Sequence, residues 1–442
     1  MDLFDQLRGI VGIAVLLGLA WGLSEDRRAT PGWRWALGAL ALQAGLALLI
    51  IRVPFVWGAM EYLNQAVFAV ERATLVGSSY MFGYLGGAPL PFALEPGRDP
   101  PVIIAFQILP LVIVFSALSA LLWHWGVLRA LVNALSFLLR RTLGVSGVVG
   151  LAGGANMFLG VVESPLVIRA YLAKMSRAEL FQIMVLAMST ISGAVLVLYA
   201  STLKATLANP VGHMIAASLV SLPAALLIAR LMVPGSAGDA ASDKSADQRP
   251  DDAAAEGPGD EGGLSYQSSI DAIVKGTMDG MQLFLAVVAI IIVVFALVAL
   301  ADEALALVPV GGEAPLTLQG IFGWIFAPFM WLLGVPWAEA SSAGELMGTK
   351  AILNEYVAFL ELAALEDGTL GARSQLIVIY AMCGFANLAS IGLLVSTIGT
   401  LCPDRRAEIA GLGIKSWIAG NIATAMTGAW IGLLTLVGGG HV

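Results

Sequence analysis

The sequence contains few charged residues, cysteines or histidines, and each shortage excludes a class of protein. Only 12% of the 442 residues are charged, about half the share found in an ordinary soluble domain. Two cysteines and three scattered histidines form neither a disulfide framework nor a metal-ligand pattern. The formal net charge of −8 leaves no basic surplus for nucleic acid. No phosphate-binding loop is present, so ATP-driven transport has no support either.

The acidic balance of the chain comes from one segment. Residues 234–263 contain eight acidic and two basic residues, and they therefore carry six of the eight net negative charges. Their Ala/Gly/Asp composition predicts a disordered linker. The rest of the chain is nearly neutral, and 58% of all residues are apolar. These properties predict an all-α polytopic membrane protein.

Eight apolar stretches are long enough to span about 30 Å of hydrocarbon. We predict spans at residues 4–23, 33–51, 101–125, 180–202, 214–232, 284–300, 374–401 and 414–437. Alternate connections are basic and acidic. Because basic connections face the cytoplasm, this pattern predicts that both termini lie outside and that the acidic linker is cytoplasmic, in a cell (inner) membrane.

Two further stretches, residues 145–173 and 336–360, do not fit simple spans. Both are too polar for a lipid-facing helix and too apolar for a soluble loop. Irregular backbone at membrane depth is tolerated where it lines a cavity, so we predict a re-entrant helical hairpin for each stretch. The tip of the first is expected at residues 160–163, with Ser164 as a helix cap and Pro165 in the first turn.

Each predicted hairpin is followed by a span with a polar interruption, at residues 188–193 and 383–390. The order hairpin, broken helix, helix thus occurs twice, and three crossings separate the hairpins. This arrangement indicates an inverted repeat and a secondary transporter with its site at the midplane. The predicted domains are N-terminal scaffold helices (1–125), a first repeat (126–233), the linker (234–263), an amphipathic segment with a long scaffold helix (264–315), and a second repeat (316–442).

Ionisable groups within a membrane indicate function by default, which singles out Glu163 and Glu355. Each is expected at a hairpin break, where a helix N-terminus favours a carboxylate. The two could accept hydrogen bonds from a hydroxyl-rich substrate or attract a cation, or they could be structural groups satisfied by caps and water.

Two pairs of neutral polar residues are also expected to take part. Asn156 and Thr190 offer hard oxygen ligands for an alkali cation, or they form an interhelical hydrogen bond. Asn387 and Ser390 are three residues apart and therefore share a helical face, from which they could hold adjacent hydroxyl groups of one ligand.

At these residues the chain resembles the concentrative nucleoside transporter family. The stretch at residues 155–169 (ANMFLGVVESPLVIR) is similar to the first-hairpin motif of that family. Residues 344–359 (GELMGTKAILNEYVAF) are similar to its second-hairpin motif, and residues 383–390 (CGFANLAS) with 403–406 (PDRR) to a third. Residues 318–328 and 334–337 also match. The resemblance covers nearly the whole chain except the acidic linker.

The resemblance implies a sodium- or proton-coupled nucleoside importer that works by alternating access, a homotrimer with a scaffold domain and a moving transport domain. By position, Glu355, Asn387 and Ser390 would bind the ribose. The nucleobase would lie near Val161, Val162, Glu163 and Val195. Asn156, Thr190 and the carbonyl groups of Leu159 and Ile191 would bind sodium.

One departure from the family motif affects the expected cargo. The family usually has Gln-Thr before the hairpin-one glutamate, whereas this chain has Val161-Val162. Two isopropyl groups cannot hydrogen-bond a base edge, and an apolar pocket discriminates weakly. The cargo is therefore expected to be a nucleoside or a different hydroxyl-rich, non-nucleoside solute. Ser164 and Ala170 also replace the usual Ala and Pro.

Two readings from other classes remain at this stage. Glu163 and Glu355 could serve as general acid and base of an intramembrane enzyme, although no paired nucleophile and base and no metal cluster accompany them in the sequence. Alternatively, a transporter-derived receptor could signal through the acidic linker.

Overall fold

The computed structural model describes residues 3–94, 101–161, 163–235, 264–307 and 316–436, with the backbone alone for residues 3–7. The described residues form helices joined by turns, without a β-strand. The predicted all-α class is therefore confirmed. Val162, most of the acidic linker (236–263) and residues 308–315 lie outside the described residues.

The first half of the described chain contains twelve helices. They are α1 (Leu3–Gly22), α2 (Trp33–Arg52), α3 (Pro54–Phe82), α4 (Ile104–Gln107), α5 (Pro110–His124), α6 (Val127–Leu143), α7 (Gly147–Phe158), α8 (Ser164–Val167), α9 (Arg169–Leu172), α10 (Arg177–Ser189), α11 (Gly193–Thr202) and α12 (Pro210–Met232).

The second half continues with seven more described helices. They are α13 (Ser269–Ala306), α14 (Leu318–Leu333), α15 (Trp337–Gly348), α16 (Glu355–Ala363), α17 (Ala372–Met382), α18 (Leu388–Leu401) and α19 (Arg406–Leu436). A π-helical turn, Thr349–Leu353, joins α15 to α16.

The same order of elements occurs twice. A helix (α6) precedes hairpin 1 (residues 147–172, α7 to α9), then the broken helix α10/α11, then α12. In the second half α14 precedes hairpin 2 (residues 337–363, α15 and α16), then the broken helix α17/α18, then α19. The two predicted interruptions are thus real breaks between helices, here called break 1 (residues 190–192) and break 2 (residues 383–387).

Six described helices are long and apolar enough to cross a membrane, and they coincide with six of the eight predicted spans. They are Trp33–Arg52, Ile104–His124, Arg177–Thr202, Pro210–Met232, Ser269–Ala306 and Pro403–Thr435. The apolar parts of α1 and α18 are shorter. The pair α14 and α15 passes the same test together but is bent by 116°. The number of crossings and the re-entrant course of the hairpins stay predictions.

Helix α3 was not predicted, because its acidic residues resembled those of an outer connection. It is 29 residues long, and it buries Asn64 and Glu71 among other side chains. The Glu71 carboxylate accepts a hydrogen bond from Lys204 Nζ at 2.6 Å. That ion pair explains how a carboxylate is accommodated on the inner face of the helix.

The two breaks lie against each other. The backbone N–H of Phe385 in break 2 donates to the carbonyl of Thr190 in break 1 at 3.3 Å. A Cβ atom on Gly384 would lie 3.1 Å from the Met188 carbonyl oxygen and 2.5 Å from Thr424 Cγ2, so this close approach requires glycine. The irregular backbone of both halves therefore meets inside the protein, where peptide groups left over by the breaks satisfy one another.

Candidate substrate and cation site

Glu355 begins the second arm of hairpin 2. Asn354 caps this helix, because its Oδ1 accepts a hydrogen bond from the Tyr356 N–H at 2.8 Å. The Glu355 side chain is only 1% exposed. Tyr199 donates its hydroxyl to Oε1 at 2.7 Å, and Asn387 Nδ2 donates to Oε2. Each carboxylate oxygen thus has one protein donor and retains capacity for another.

Asn387 and Ser390 lie beside this carboxylate. The sequence predicted two residues on one helical face, but in the structure one residue caps the helix and the other lies in its first turn. Asn387 is the N-cap of α18, and its Oδ1 accepts the Ser390 N–H at 2.8 Å. The Ser390 side chain is 2% exposed, and within the described residues its Oγ has no hydrogen-bond partner. A buried hydroxyl without a partner is unfavourable by about 1–3 kcal/mol. A ligand hydroxyl group would remove that penalty.

Glu163 lies at the tip of hairpin 1, in the position before α8. Gly160 has φ +103°, and a Cβ atom there would lie 3.2 Å from Glu163 Oε2 and 2.8 Å from Ser192 Cβ. The tip is therefore packed against the start of α11, and only glycine fits between the carboxylate and Ser192. Within the described residues no basic side chain forms an ion pair with Glu163.

Helix α11 connects the two carboxylates. Ser192, at its N-cap, contacts the hairpin-1 tip, and Tyr199 hydrogen-bonds Glu355. Residues seven apart share a helical face, and a rise of 1.5 Å per residue separates them by about 10 Å. Val195 lies between them on that face. The two carboxylates therefore mark the ends of a strip whose length suits a small molecule.

Asn156, Thr190 and Ser164 form a buried oxygen-rich cluster beside the tip of hairpin 1. Ser164 Oγ donates to Asn156 Oδ1 at 3.1 Å. Asn156 Nδ2 donates to Thr190 Oγ1, and Thr190 Oγ1 donates to the Leu186 carbonyl at 2.9 Å. All three side chains are at most 3% exposed. Amide, hydroxyl and carbonyl oxygens are hard metal ligands, so these oxygen atoms suit an alkali cation.

The predicted cap at Ser164 is wrong. Ser164 is the first residue of α8, with Glu163 in the cap position and no side-chain cap bond. Its hydroxyl instead donates a hydrogen bond to the buried Asn156 Oδ1.

The remaining predicted residues surround these clusters. Val161 and Val195 are 9% exposed. Leu159 ends α7 at the hairpin-1 tip. Ile191 is buried in break 1, where its N–H donates to Ser218 Oγ at 3.5 Å.

Two residues near the site were not predicted to contribute to it. Tyr199 donates to Glu355, and the only signal in the sequence was a lone tyrosine in an otherwise apolar stretch. Lys350 is completely buried in the π-helical turn of hairpin 2. Its charge was visible in the sequence, but its partners come from α19, more than 70 residues away in the chain.

Family profiles cover most of the chain. A profile described as "Na+ dependent nucleoside transporter C-terminus" matches residues 213–432, and its N-terminal counterpart matches residues 11–85. A profile described as "Nucleoside recognition" matches residues 105–206. Both hairpins, both breaks and helix α5 fall within these matches.

Similar proteins extend over the full length. The chain is 35% identical to an "Uncharacterized transporter" of Haemophilus influenzae and 30% identical to "Nucleoside permease NupC" of Helicobacter pylori, covering 98% of each chain in both comparisons. The rat "Sodium/nucleoside cotransporter 1" is 28% identical over 97% of this chain and 64% of its own.

Solved structures agree with this relationship. CNTnw in an inward-facing substrate-bound state has a TM-score of 0.81 and 32% identity, covering 97% of this chain and 99% of that chain. A double variant of CNTnw in an outward-facing state has a TM-score of 0.83 and 30% identity, with complete coverage of both chains. These relatives are transporters, which removes the enzyme reading of Glu163 and Glu355. The chain is thus a multi-pass membrane protein that belongs to the Na+-dependent nucleoside transporter family.

Proposed function

We propose that this protein imports nucleosides by secondary active transport coupled to a sodium gradient. The observation that carries the proposal is the group around Glu355: its carboxyl group, the Asn387 amide and the Ser390 hydroxyl without a partner among the described residues, all buried together. Such a group suits two adjacent hydroxyl groups on one ring, as ribose presents them. Glu355 would accept from them, and Ser390 would gain the partner that it lacks.

The other end of the strip would hold the nucleobase. Glu163 offers a carboxylate there, whereas Val161 and Val195 offer apolar contact. Val162 adds a second isopropyl group by sequence. A pocket with one polar anchor and apolar walls accepts bases of different shape, so we expect purine and pyrimidine nucleosides to compete with each other.

Sodium would bind at the cluster of Asn156 and Thr190, with the carbonyl groups of Leu159 and Ile191. This site lies where the hairpin-1 tip meets break 1, so an ion there would order the tip beside Glu163. Ordering by one ligand lowers the free-energy cost of binding the other, which is the form of coupling that a symporter needs. A proton remains the alternative coupling ion.

We further propose alternating access in a homotrimer, with the hairpins moving relative to scaffold helices that include α5 and α13. The similarity of the chain to CNTnw structures in both inward- and outward-facing states supports this proposal. The proposed orientation places both termini outside the cell (inner) membrane and the acidic linker in the cytoplasm.

Uptake by purified protein in liposomes tests the function. Labelled uridine and adenosine would be offered with an inward sodium gradient, an inward proton gradient, or neither. The proposal predicts uptake of both nucleosides that sodium stimulates. If protons alone stimulate uptake, the coupling ion is the proton and not sodium. If the folded protein takes up neither nucleoside under any gradient, the proposed cargo is wrong.

A different hydroxyl-rich solute is the second candidate cargo, and the apolar Val161 favours it. The double variant Val161→Gln/Val162→Thr restores the polar pair usual in the family. If nucleosides are the cargo, this variant should shift the uridine-to-adenosine uptake ratio while keeping uptake. If neither chain transports nucleosides, other hydroxyl-rich solutes become the candidates.

A receptor that signals through the acidic linker is tested by its deletion. Removing residues 237–262 should leave uptake intact, because none of the proposed site residues lies there. Loss of uptake by a folded deletion variant would assign the linker a part in transport.

A further inference from the structure

Lys350 is the completely buried basic side chain of hairpin 2, with 0% exposure. An ionised ammonium group away from water is costly unless polar groups surround it. Because membrane proteins retain such groups mainly for function, its position requires an explanation that the binding of a neutral substrate does not give.

The ammonium group is held by neutral oxygens of α19. Lys350 Nζ donates to Asn421 Oδ1 at 2.7 Å and to Thr424 Oγ1 at 3.4 Å. Its hydrogen bonds therefore go to an amide and a hydroxyl group and not to the Glu355 carboxylate five residues later.

This ammonium group is connected to break 2. Asn421 Nδ2 donates to the Ala386 carbonyl at 3.1 Å, and the next residue, Asn387, donates to Glu355. Trp417 Nε1 also donates to the Ala351 carbonyl at 3.0 Å, which fixes the π-helical turn to α19. Lys350 thus supports the backbone from which the Glu355 group is built.

The first half has the same kind of oxygen pair without a lysine. Asn156 and Thr190 bring an amide and a hydroxyl group to break 1, and Ser164 adds a second hydroxyl. Where the structure describes the chain, no charged side chain takes part in that hydrogen-bonded cluster. Each half therefore has an amide–hydroxyl pair beside its break, and the second half adds a cation that is covalently attached.

We propose that the Lys350 ammonium group is a fixed, non-exchangeable cation of the second half, which makes a second coupling ion unnecessary. The inference rests on the proposed sodium coupling. One exchangeable cation then binds in the first half, and Lys350 supplies the positive charge that hairpin 2 needs beside ionised Glu355. The transport cycle would accordingly move one net positive charge with each neutral nucleoside.

The first test uses the unmodified protein. Charge movement across the liposome membrane would be recorded together with uptake of labelled uridine. A ratio of one charge per uridine is expected, and a ratio of two would overturn the proposal.

The second test replaces Lys350 in the full chain. Lys350→Asn supplies an amide oxygen in place of the ammonium group and so imitates the first half, whereas Lys415→Met is the control, a lysine of α19 that pairs with Glu25 at the surface. Thermal stability would be measured against sodium concentration, with choline to hold the ionic strength. At saturating sodium, the slope of the unfolding free energy against the logarithm of sodium concentration gives the number of ions bound; we expect about one ion for the wild type and the control, and about two for Lys350→Asn.

The outcomes separate this proposal from the proposed function. A folded Lys350→Asn protein that binds a single sodium ion would overturn the fixed-cation role. If Lys350→Asn does not fold, the charge ratio of the wild type decides. If the wild type transports no nucleoside, the proposed function fails, but the two sodium titrations still decide whether Lys350 replaces an ion.

Discussion

The two halves of this protein share an order of elements but differ in their charges. Hairpin 1 has a carboxylate, Glu163, without a basic partner among the described residues, next to a cluster of neutral oxygens. Hairpin 2 has a carboxylate, Glu355, with two neutral donors and with the buried cation Lys350 nearby.

This difference would allow two halves with the same order of elements to bind two different ligands. Among the described residues, no basic side chain hydrogen-bonds to the oxygen cluster of hairpin 1, so an ion from solution would be favoured there. In the second half the proposed cation Lys350 would balance Glu355, so the free acceptors and the Ser390 hydroxyl, which has no partner among the described residues, would remain for a neutral, hydroxyl-rich ligand. Divergence of charge between the repeats thus separates the proposed ion site from the proposed sugar site.

Glu355→Gln is expected to have the largest effect on substrate binding in the second half. The NH2 group of the new amide would face a hydrogen-bond donor, either Tyr199 or Asn387, and the site would lose its charged acceptor. Hydrogen bonds to charged groups contribute about 1.5–3 kcal/mol each, so uridine should bind about 100-fold more weakly. Calorimetry checks this. Glu366→Gln, an exposed carboxylate, is the control and should bind normally; equal affinities for both variants would refute the role of Glu355.

Asn156→Ala should act on the ion and not on the sugar. The change removes a proposed ligand and the hydrogen-bond acceptor of Ser164, whereas Thr190 keeps its bond to the Leu186 carbonyl. We expect the sodium concentration for half-maximal uptake to rise about 10- to 100-fold, corresponding to about 1–3 kcal/mol. Uptake measured across sodium concentrations gives this value, and an unchanged curve would exclude the site.

Tyr199→Phe tests the link between the halves. Loss of the hydroxyl that holds Glu355 Oε1 should weaken uridine binding about tenfold, because a hydrogen bond to a charged group is lost. The matched control is Tyr380→Phe, whose hydroxyl contacts His213 Nδ1 at 3.1 Å instead. If both variants weaken binding equally, the effect comes from packing and not from Glu355.

Ser164→Ala sharpens the description of the first half. The Ser164 oxygen lies at hydrogen-bond distance from the proposed ligand atom Asn156 Oδ1, so it can join the ion's ligands when its hydrogen rotates away. Its loss should raise half-saturating sodium about threefold, since neutral hydrogen bonds contribute about 0.5–1.5 kcal/mol. Tighter sodium binding by the alanine variant would show that the hydroxyl competes with the ion.

The smallest expected effect comes from a surface network between the halves. Glu25 bonds Arg177 of α10 and Lys415 of α19. Its hydrogen bond with Arg177, above all, lowers the pKa of Glu25 from 4.5 to about 2. A lowered pKa stabilises the fold fully above pH 4.5, and this contribution is lost as the pH falls towards 2.

Solvent screens this partly exposed network, so its contribution should stay below about 1 kcal/mol. Thermal unfolding of the wild type and of Glu25→Gln should differ slightly at pH 7, and the difference should shrink between pH 5 and pH 3. A difference that does not change with pH would mean that the charge of Glu25 is not responsible.

The fold could be predicted well where apolar length or polar interruption decides structure. Both breaks and the tip of hairpin 1 followed from polar and glycine residues in apolar sequence. Helix α3 could not be predicted, because the partner of Glu71, Lys204, is 133 residues away. A carboxylate that is paired in space resembles an exposed one in sequence.

The same limit applies to the site residues: local composition predicted some of them, but not those whose role depends on a partner distant in the sequence. Glu163, Glu355, Asn156 and Thr190 stood out because polar groups are rare in these stretches. Tyr199 did not, because a tyrosine in an apolar helix is ordinary until its hydroxyl is seen to reach hairpin 2. The inward turn of Ser164 was also hidden, because serine before proline is a common helix start and only the position of Asn156 changes its role.

The central claim is that an ion in the first half prepares the site for a nucleoside, and reciprocal binding tests it most directly. Uridine affinity would be measured at several sodium concentrations, and sodium affinity at several uridine concentrations, on purified protein. Linkage requires both affinities to change by the same factor. We predict a common factor well above 1 in the wild type and a factor of 1 in Asn156→Ala. Uridine binding by the wild type with an affinity independent of sodium would contradict the account.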